Sequence, residues 1–350
     1  MLDIALLSKI CELPGAPGYE YRVRNFIIDQ VRDYCDEVEI DNLGNVIAII
    51  RGNSNRKVMS AAHMDEISFI VTHIEEGGFV RFHTLGGFDP KTLTAQRVII
   101  HGKEDILGVM GTKPIHTMTA EERNKPVKTT DYFIDTGRTS EELKTLISIG
   151  DVITRERSLV QMGNCINAKS LDNRISVYIL VEVLKGLKNK TIPFDFYAVF
   201  TVQEEVGLRG ATTAASYIQP DFAIALDVTV ASDMPGLQPY EFITSLGKGT
   251  AIKVMDGSVI CDYRMVEYMK HISQAHSISY QLEVLTAGGT DTAQLQRAGI
   301  GGSIAGAISI PTRYLHQVIE MCNKDDVMAT IKLLSQCIIN IDKFDWSHKI

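Results

Sequence analysis

No two of the six cysteines (Cys11, Cys35, Cys165, Cys261, Cys322 and Cys337) stand in a Cys-x-x-Cys pair. That spacing argues against both a zinc knuckle and a disulfide framework and fits free thiols in a reducing cytoplasm. No apolar run approaches the ~20 residues of a membrane span; the longest, Val177 to Leu184 and Ile304 to Ile310, are of core size. No basic stripe stands against the net charge of -8, which excludes nucleic acid as the expected partner. The opening Met-Leu-Asp-Ile-Ala-Leu-Leu-Ser-Lys-Ile has neither a basic n-region nor a small-residue cleavage site, so it reads as a first amphipathic helix and not as a signal peptide. No repeat and no low-complexity linker appears.

What is present is an ordinary globular composition, 45% hydrophobic and 22% charged over 350 residues, long enough for roughly two domains of ~150 residues. Leu2, Leu6, Ile10 and Leu13 keep helical spacing, as do Val23, Phe26, Ile27 and Val31. Val38, Ile40 and the run 46–50 flank an Asp41-Asn42-Leu43-Gly44-Asn45 turn, and Lys57 to Ala62 is a short buried-strand pattern ending at His63. From about 73 to 164 short strands alternate with Glu76-Gly77-Gly78, Leu85-Gly86-Gly87, Gly102-Lys103-Glu104-Asp105 and Thr136-Gly137-Arg138, the texture of a small antiparallel barrel or sandwich. One helix, near Ser140 to Ile149, interrupts it. After Asp172 strands and helices alternate to the end, which predicts a mainly parallel mixed sheet covered by helices on both faces. The expected organisation is therefore an α/β domain made of residues 1–70 and 165–350, with a β-rich, barrel-like domain at 71–164 inserted into it.

The chemistry gathers at predicted strand ends, where sites of such sheets lie. Glu204 and Glu205 follow the apolar run Phe196 to Phe200 and precede Gly207. Taken alone they read as solvated helix-start acids; at the end of a strand their side chains diverge, so that one can hold a metal while the other faces a water and a substrate. His63, Asp172, Asp227 and His316 sit at the ends of other predicted strands or in the turns after them. Two histidines and three carboxylates suit a pair of borderline divalent ions, zinc first, with cobalt and manganese as alternatives. With Asp172 as a bridge, each ion gains one histidine and one further carboxylate. Asp65, two residues after His63, would return to the same face of an extended strand and accept the free ring N–H of that histidine.

Ala62-His63-Met64-Asp65-Glu66-Ile67, Ser170-Leu171-Asp172-Asn173-Arg174, Gln203-Glu204-Glu205-Val206-Gly207-Leu208-Arg209-Gly210-Ala211, Ala225-Leu226-Asp227-Val228 and Pro311-Thr312-Arg313-Tyr314-Leu315-His316 resemble, in order, the metal-site motifs of the tetrahedral aminopeptidase family. That family contains the glutamyl and deblocking aminopeptidases and some members labelled cellulases. The resemblance spans nearly the whole chain and includes Gly111 to His116, Tyr132 to Asp151 and Gly288-Gly289-Thr290-Asp291. It implies a dimetal exopeptidase fold and an aminopeptidase acting on short peptides. His63, Asp172 and Asp227 would hold one ion, and Asp172, Glu205 and His316 the other. Glu204 would be the general base, Asp65 the orienting acid, and the peptide after Asp172 cis. It further implies dimerisation through the inserted domain, with dimers closing into a hollow dodecamer; an insert that serves only as a lid is the plainer reading. Ser68, Thr292 and Gln317 depart from the family's usual Gly, Ala and small hydroxyl residue and touch only local pocket shape.

Two readings compete. A dimetal carboxypeptidase or amide deacylase would use the same water chemistry and anchor its substrate with a cation such as Arg174, Arg209 or Arg313. A non-catalytic metal-binding or assembly protein should have lost Glu204 or Asp65. A cellulase would need two carboxylates flanking a sugar bond, to which metal-type histidines add nothing. The preferred first residue is left open: Lys248, in Leu246-Gly247-Lys248-Gly249, offers a partner to an acidic side chain, while a turn lysine is the plainer reading.

Overall fold

In the computed structural model, which describes residues 2–349, the chain opens with helices α1 (Ile4–Glu12) and α2 (Tyr21–Val31). Asp3 caps the first by accepting the Leu6 N–H at 3.0 Å. The hairpin of β1 (Glu37–Ile40) and β2 (Val46–Ile50) leads to β3 (Ser54–His63). β2, Val-Ile-Ala-Ile-Ile, is buried at every position, as a strand covered on both faces must be.

The chain then leaves this sheet for a closed barrel. Its strands are β4 (Ser68–Ile74), β5 (Phe79–Leu85), β6 (Arg97–His101), β7 (Asp105–Gly111), β8 (Phe133–Asp135) and β9 (Val152–Arg155), joined in the order β4-β5-β8-β7-β6-β9. Two short helices accompany it, α3 (Ala120–Asn124) and α4 (Ser140–Leu146). Thr139 and Glu142 form a capping box on α4. Alternation along β7, Ile106, Gly108 and Met110 inward and the residues between them outward, supplies one stave of a core that includes Phe69, Val80, Ile100, Tyr132 and Ile134.

The rest of the chain returns to the large sheet through β10 (Val160–Met162), β11 (Cys165–Ala168), α5 (Leu171–Leu187), β12 (Phe194–Thr201), α6 (Arg209–Ile218), β13 (Phe222–Val230), β14 (Thr250–Met255), α7 (Tyr263–Ala275), β15 (Tyr280–Val284), α8 (Thr292–Gln296), β16 (Ile304–Arg313), β17 (Glu320–Asn323) and α9 (Lys324–Asn340). The sheet runs β1-β2-β12-β3-β13-β16-β17-β11-β10, with β14 and β15 branching from β16. It is mixed: β12, β3, β13 and β16 are mutually parallel, and the flanks pair antiparallel. Helices α1, α2, α5, α7 and α9 bury one face. On the other, α6 and α8 bring Ala211, Ala214, Ala215 and Leu295 onto Met59, Ala61, Ala223 and Ala305. These small residues let α6 lie close; a Cβ on Gly210 would meet the Val202 carbonyl oxygen at 2.4 Å.

Three features differ from the sequence reading. The barrel occupies 68–155, so β10, placed by texture in the inserted segment, pairs with β11 of the large sheet. Asp227 does not end its strand: β13 continues to Val230 and pairs with β16 throughout. Asp65 lies in the loop after β3, outside the extended strand. No helix among the described residues is long and apolar enough to cross a membrane.

Candidate metal centre

The parallel strands deliver the polar residues to one end of the sheet. His63 is the last residue of β3, register-paired with Thr201 at the end of β12; Glu204 and Glu205 follow β12; Asp227 stands on β13; His316 follows β16; and Asp172 opens α5. His63 Nε2 lies 3.2 Å from Asp172 Oδ1 and 3.9 Å from Asp227 Oδ1. His316 Nε2 lies 3.4 Å from Asp172 Oδ2 and 3.8 Å from Glu205 Oε2. Two triads result, His63–Asp172–Asp227 and Asp172–Glu205–His316, each with its ligand-type atoms within 4.8 Å of one another. Asp172 belongs to both, and the Asp172–Asn173 peptide is cis. Glu204 Oε2 comes within 3.8 Å of His63 Nε2 yet belongs to neither triad. It lines the same cavity, about 600 Å³ in volume.

Backbone amides hold this arrangement through buried carboxylates. The Asp65 carboxylate accepts the N–H of Glu204 and that of Glu205, both at 3.0 Å. The His63 ring is met at Nδ1 by the Asp65 carbonyl oxygen at 3.1 Å, closer than the Asp65 carboxylate at 3.5 Å. Asp65 thus grips the glutamate loop with its side chain and faces the histidine chiefly with its backbone. Glu20, just before α2, accepts the preceding amide of that loop, Gln203 N–H, at 3.1 Å and Gly18 N–H at 2.8 Å. Glu320 on β17 does the same for the other half, taking Asp172 N–H at 2.9 Å and His316 N–H at 3.0 Å. Beneath, Lys169 donates to Glu66 at 2.6 Å, and Arg174 donates to the Ile10 and Leu13 carbonyls at 2.6 and 2.8 Å.

The sequence reading missed Glu20 and Glu320. The available signal for Glu320 was an acid set in the apolar run Val318-Ile319-Glu320-Met321-Cys322. It also took Leu85-Gly86-Gly87 as a spacer. This loop carries the barrel to the site: Gly86 has φ +95°, and a Cβ there would meet Ile67 at 2.6 Å, a place only glycine fills without strain. Lys248 is exposed in its turn and does not line the cavity.

The electrostatics ask for positive charge. Burial, reinforced by the Asp227 and Glu205 charges, holds the Glu204 carboxyl well above the usual range. Burial and Asp172 push Glu205 up to about 8, and burial and Asp172 likewise raise Asp227. Asp172 goes the other way: against its burial, contacts with His316 and His63 hold it well below the usual carboxylate range. Burial opposes charging of His316, but Asp172 and Glu205 push its imidazole up to about 9. Glu205 Oε1 is buried without a hydrogen-bond partner. Crowded acids, an orphan carboxylate oxygen and histidines facing a shared aspartate fit a site for divalent cations.

The comparisons agree with this geometry. The profile of the M42 glutamyl aminopeptidases matches residues 44–333. A putative aminopeptidase of Acetivibrio thermocellus is 40% identical over 334 residues, covering 95% of this chain and 97% of its own length. The lysyl aminopeptidase of Pyrococcus furiosus is 33% identical, covering 99% and 100%. The solved TET1 peptidase of Pyrococcus horikoshii, which can assemble into a tetrahedron or a large octahedral shell, superposes with a TM-score of 0.87 at 30% identity, covering 96% of this chain and 99% of that one. A match along most of the chain, in sequence and in fold, makes this protein a peptide hydrolase belonging to the M42 family of glutamyl aminopeptidases.

Proposed function

We propose that this chain removes single residues from the free amino end of short peptides, with two divalent ions held in the two triads. The observation that carries the reading is the sharing of Asp172 between them. Bound there, the ions would lower the pKa of a water and polarise the scissile carbonyl. Glu204 is the cavity carboxylate left outside both triads, and we assign it the role of general base, taking the water's proton and returning it to the leaving amine. Asp65 positions it by gripping its amide and that of Glu205. Zinc is the first assignment, with cobalt and manganese as alternatives, because imidazole and carboxylate serve all three.

A carboxypeptidase needs a free cation for the substrate carboxylate. Arg174 is fully buried, donating to backbone carbonyls and lying 3.8 Å from Glu66. Arg209 donates to Gln203 and Arg313 makes two bonds to Asp233; none of the three lines the cavity. Recognition of the amine end is therefore favoured. Elemental analysis combined with hydrolysis of aminoacyl-nitroanilides and N-blocked peptides tests the reading. About two ions per chain and cleavage of free-amine substrates alone are expected; cleavage of N-blocked peptides from the carboxyl end would overturn it.

We further read residues 1–70 with 165–350 as the catalytic unit and 71–164 as the inserted unit through which copies associate; the barrel itself runs from 68 to 155, and β10 pairs back into the large sheet. Dimers closing into a tetrahedral dodecamer would limit substrates to short or unfolded peptides. A stable monomer in sedimentation would count against this. A cytoplasmic location suits the six free thiols.

A further inference from the structure

Beside the triads, the cavity is lined by Val228, Val230, Leu285, Ala287 and the Gly288–Gly289 pair. Among its lining residues Lys253 is the one lysine or arginine. On charge alone it would invite an acidic side chain, but it is already committed. Its ammonium lies 2.9 Å from Glu283 Oε1 and 3.1 Å from Asp256 Oδ2, and the residue has 0% exposure. Lys253 and Glu283 face each other in register on the parallel strands β14 and β15, so the pair is set by the backbone and not by a mobile side chain.

The same cluster is tied down from every side. Thr229 donates to Glu283 Oε1 at 2.8 Å and Thr290 to Asp256 Oδ2 at 3.1 Å. The other Asp256 oxygen accepts from Ser258 Oγ and from the Ser258 and Val259 amides. Glu283 Oε2 has no partner, but Glu283 has 0% exposure and does not reach the cavity. Two acids against one base leave the cluster one charge negative. A glutamate side chain entering here finds no free cation and a net negative floor. A lysine side chain finds no free acid in this wall, because Glu283 and Asp256 are held against Lys253 and neither lines the cavity. An unpaired charge taken into such a place is disfavoured strongly, whereas aliphatic surface meets aliphatic walls.

We infer that the subsite for the peptide's first side chain accepts uncharged aliphatic residues of leucine or methionine size and rejects both glutamate and lysine, with Lys253, Glu283 and Asp256 setting that choice. The inference rests on the aminopeptidase reading above. Its test is kcat/KM of the metal-loaded protein at pH 7 for leucyl-, methionyl-, glutamyl- and lysyl-nitroanilide. Leucyl or methionyl substrate should lead both charged ones by about tenfold or more; a smaller lead over either overturns the inference. No hydrolysis of any of the four by protein that holds its metals would overturn the aminopeptidase reading, and this proposal with it. The double variant Asp256→Asn/Glu283→Gln frees the Lys253 charge and should raise the glutamyl-to-leucyl ratio by about tenfold; an unchanged ratio removes the cluster from the specificity role. The wild-type comparison stands whether or not that variant folds.

Discussion

The α/β body buries some of its ion pairs, besides exposed ones such as Arg51–Glu37, whereas the barrel, among the described residues, keeps its pairs at the surface. In the body, Lys169 and Glu66 pair with side-chain exposures of 3% and 0%, and Lys253 pairs with Asp256 and Glu283 at 1% or below. In the barrel, Arg81–Glu75, Lys113–Glu122 and Arg138–Glu104 are all between 35% and 55% exposed. Burying an ion pair commonly costs more in desolvation than the Coulomb attraction returns, while exposed pairs contribute about 0 to 1 kcal/mol. The body's buried pairs are therefore poor devices for stability and good ones for fixing a geometry. The barrel is held by its apolar core and touches the site through one glycine loop. A charge removed from one of the body's buried pairs should cost activity; one removed from a surface pair of the barrel should cost little of anything.

The largest effect expected is at Glu204. Glu204→Gln should keep both ions and lower turnover by about 100- to 10,000-fold, read as metal content against kcat. Glu122→Gln, on the barrel surface, should leave turnover unchanged. Loss of metal from Glu204→Gln would return this residue to the ligand set and blur the division between holding ions and moving protons.

The two histidines sharpen the comparison within the body itself. His63 is buried at the end of a core strand, with its ring set against the Asp65 carbonyl. His316 is half-buried on a loop where it and Tyr314 take φ of +62° and +60°. His63→Ala should lose metal and lower the melting temperature together. His316→Ala should stay folded and recover part of its activity in excess metal. Each should weaken metal binding by more than the roughly 10- to 100-fold that removing a ligand's hydrogen-bonding partner costs. Equal thermal losses in the two variants would mean that burial does not distinguish the half-sites.

Next in size is Glu20, whose carboxylate continues the row of amide acceptors begun by Asp65. Displacing a reactive group by about 1 Å can cost on the order of 100-fold, so Glu20→Ala should lower kcat by about 10- to 100-fold with metal content kept. Glu20→Gln, whose amide oxygen can still accept both N–H groups, should stay near wild type. A loss in Glu20→Gln matching that in Glu20→Ala would show that the charge, and not the grip on the loop, matters.

Why Glu20 and Glu320 were not legible follows from how they act. His63, Asp172, Glu204, Glu205, Asp227 and His316 carry the residue types that metal chemistry demands, in ordered motifs, and the fold brings them together. Glu20 and Glu320 serve backbone amides, which belong to every residue, so no partner motif betrays them. The central strands were visible as continuous apolar runs. β13 was read short because Asp227 breaks its run, although its backbone keeps pairing with β16 and its carboxylate opens into the cavity. β10, β11 and β17 are three or four residues long, too brief to show a period. In the barrel, alternation and glycine-rich turns were enough to indicate a small antiparallel barrel or sandwich, and the pairing of β4 with β9 closes it as a barrel.

The smallest effect lies at the seam between the two regions. Arg22 on α2 donates to Asp105 on β7 through both terminal nitrogens, at 2.5 and 2.8 Å. The bond from Arg22 holds the Asp105 carboxyl down to about 2 from its usual 3.8. The folded-state value is depressed, so the stabilisation is complete above about pH 4 and drains away as pH falls through about 2. With side-chain exposures of 35% and 41% the pair is screened and contributes no more than about 1 kcal/mol. Asp105→Asn should lower the melting temperature at pH 7 by at most about 2 to 4 °C. The difference from wild type should close at pH 2, and turnover should not change. If turnover instead fell as far as in Glu20→Ala, the barrel's seating on α2 would be setting the position of the Gly86–Gly87 loop at the metal centre, and the barrel could no longer be treated as energetically separate from the site.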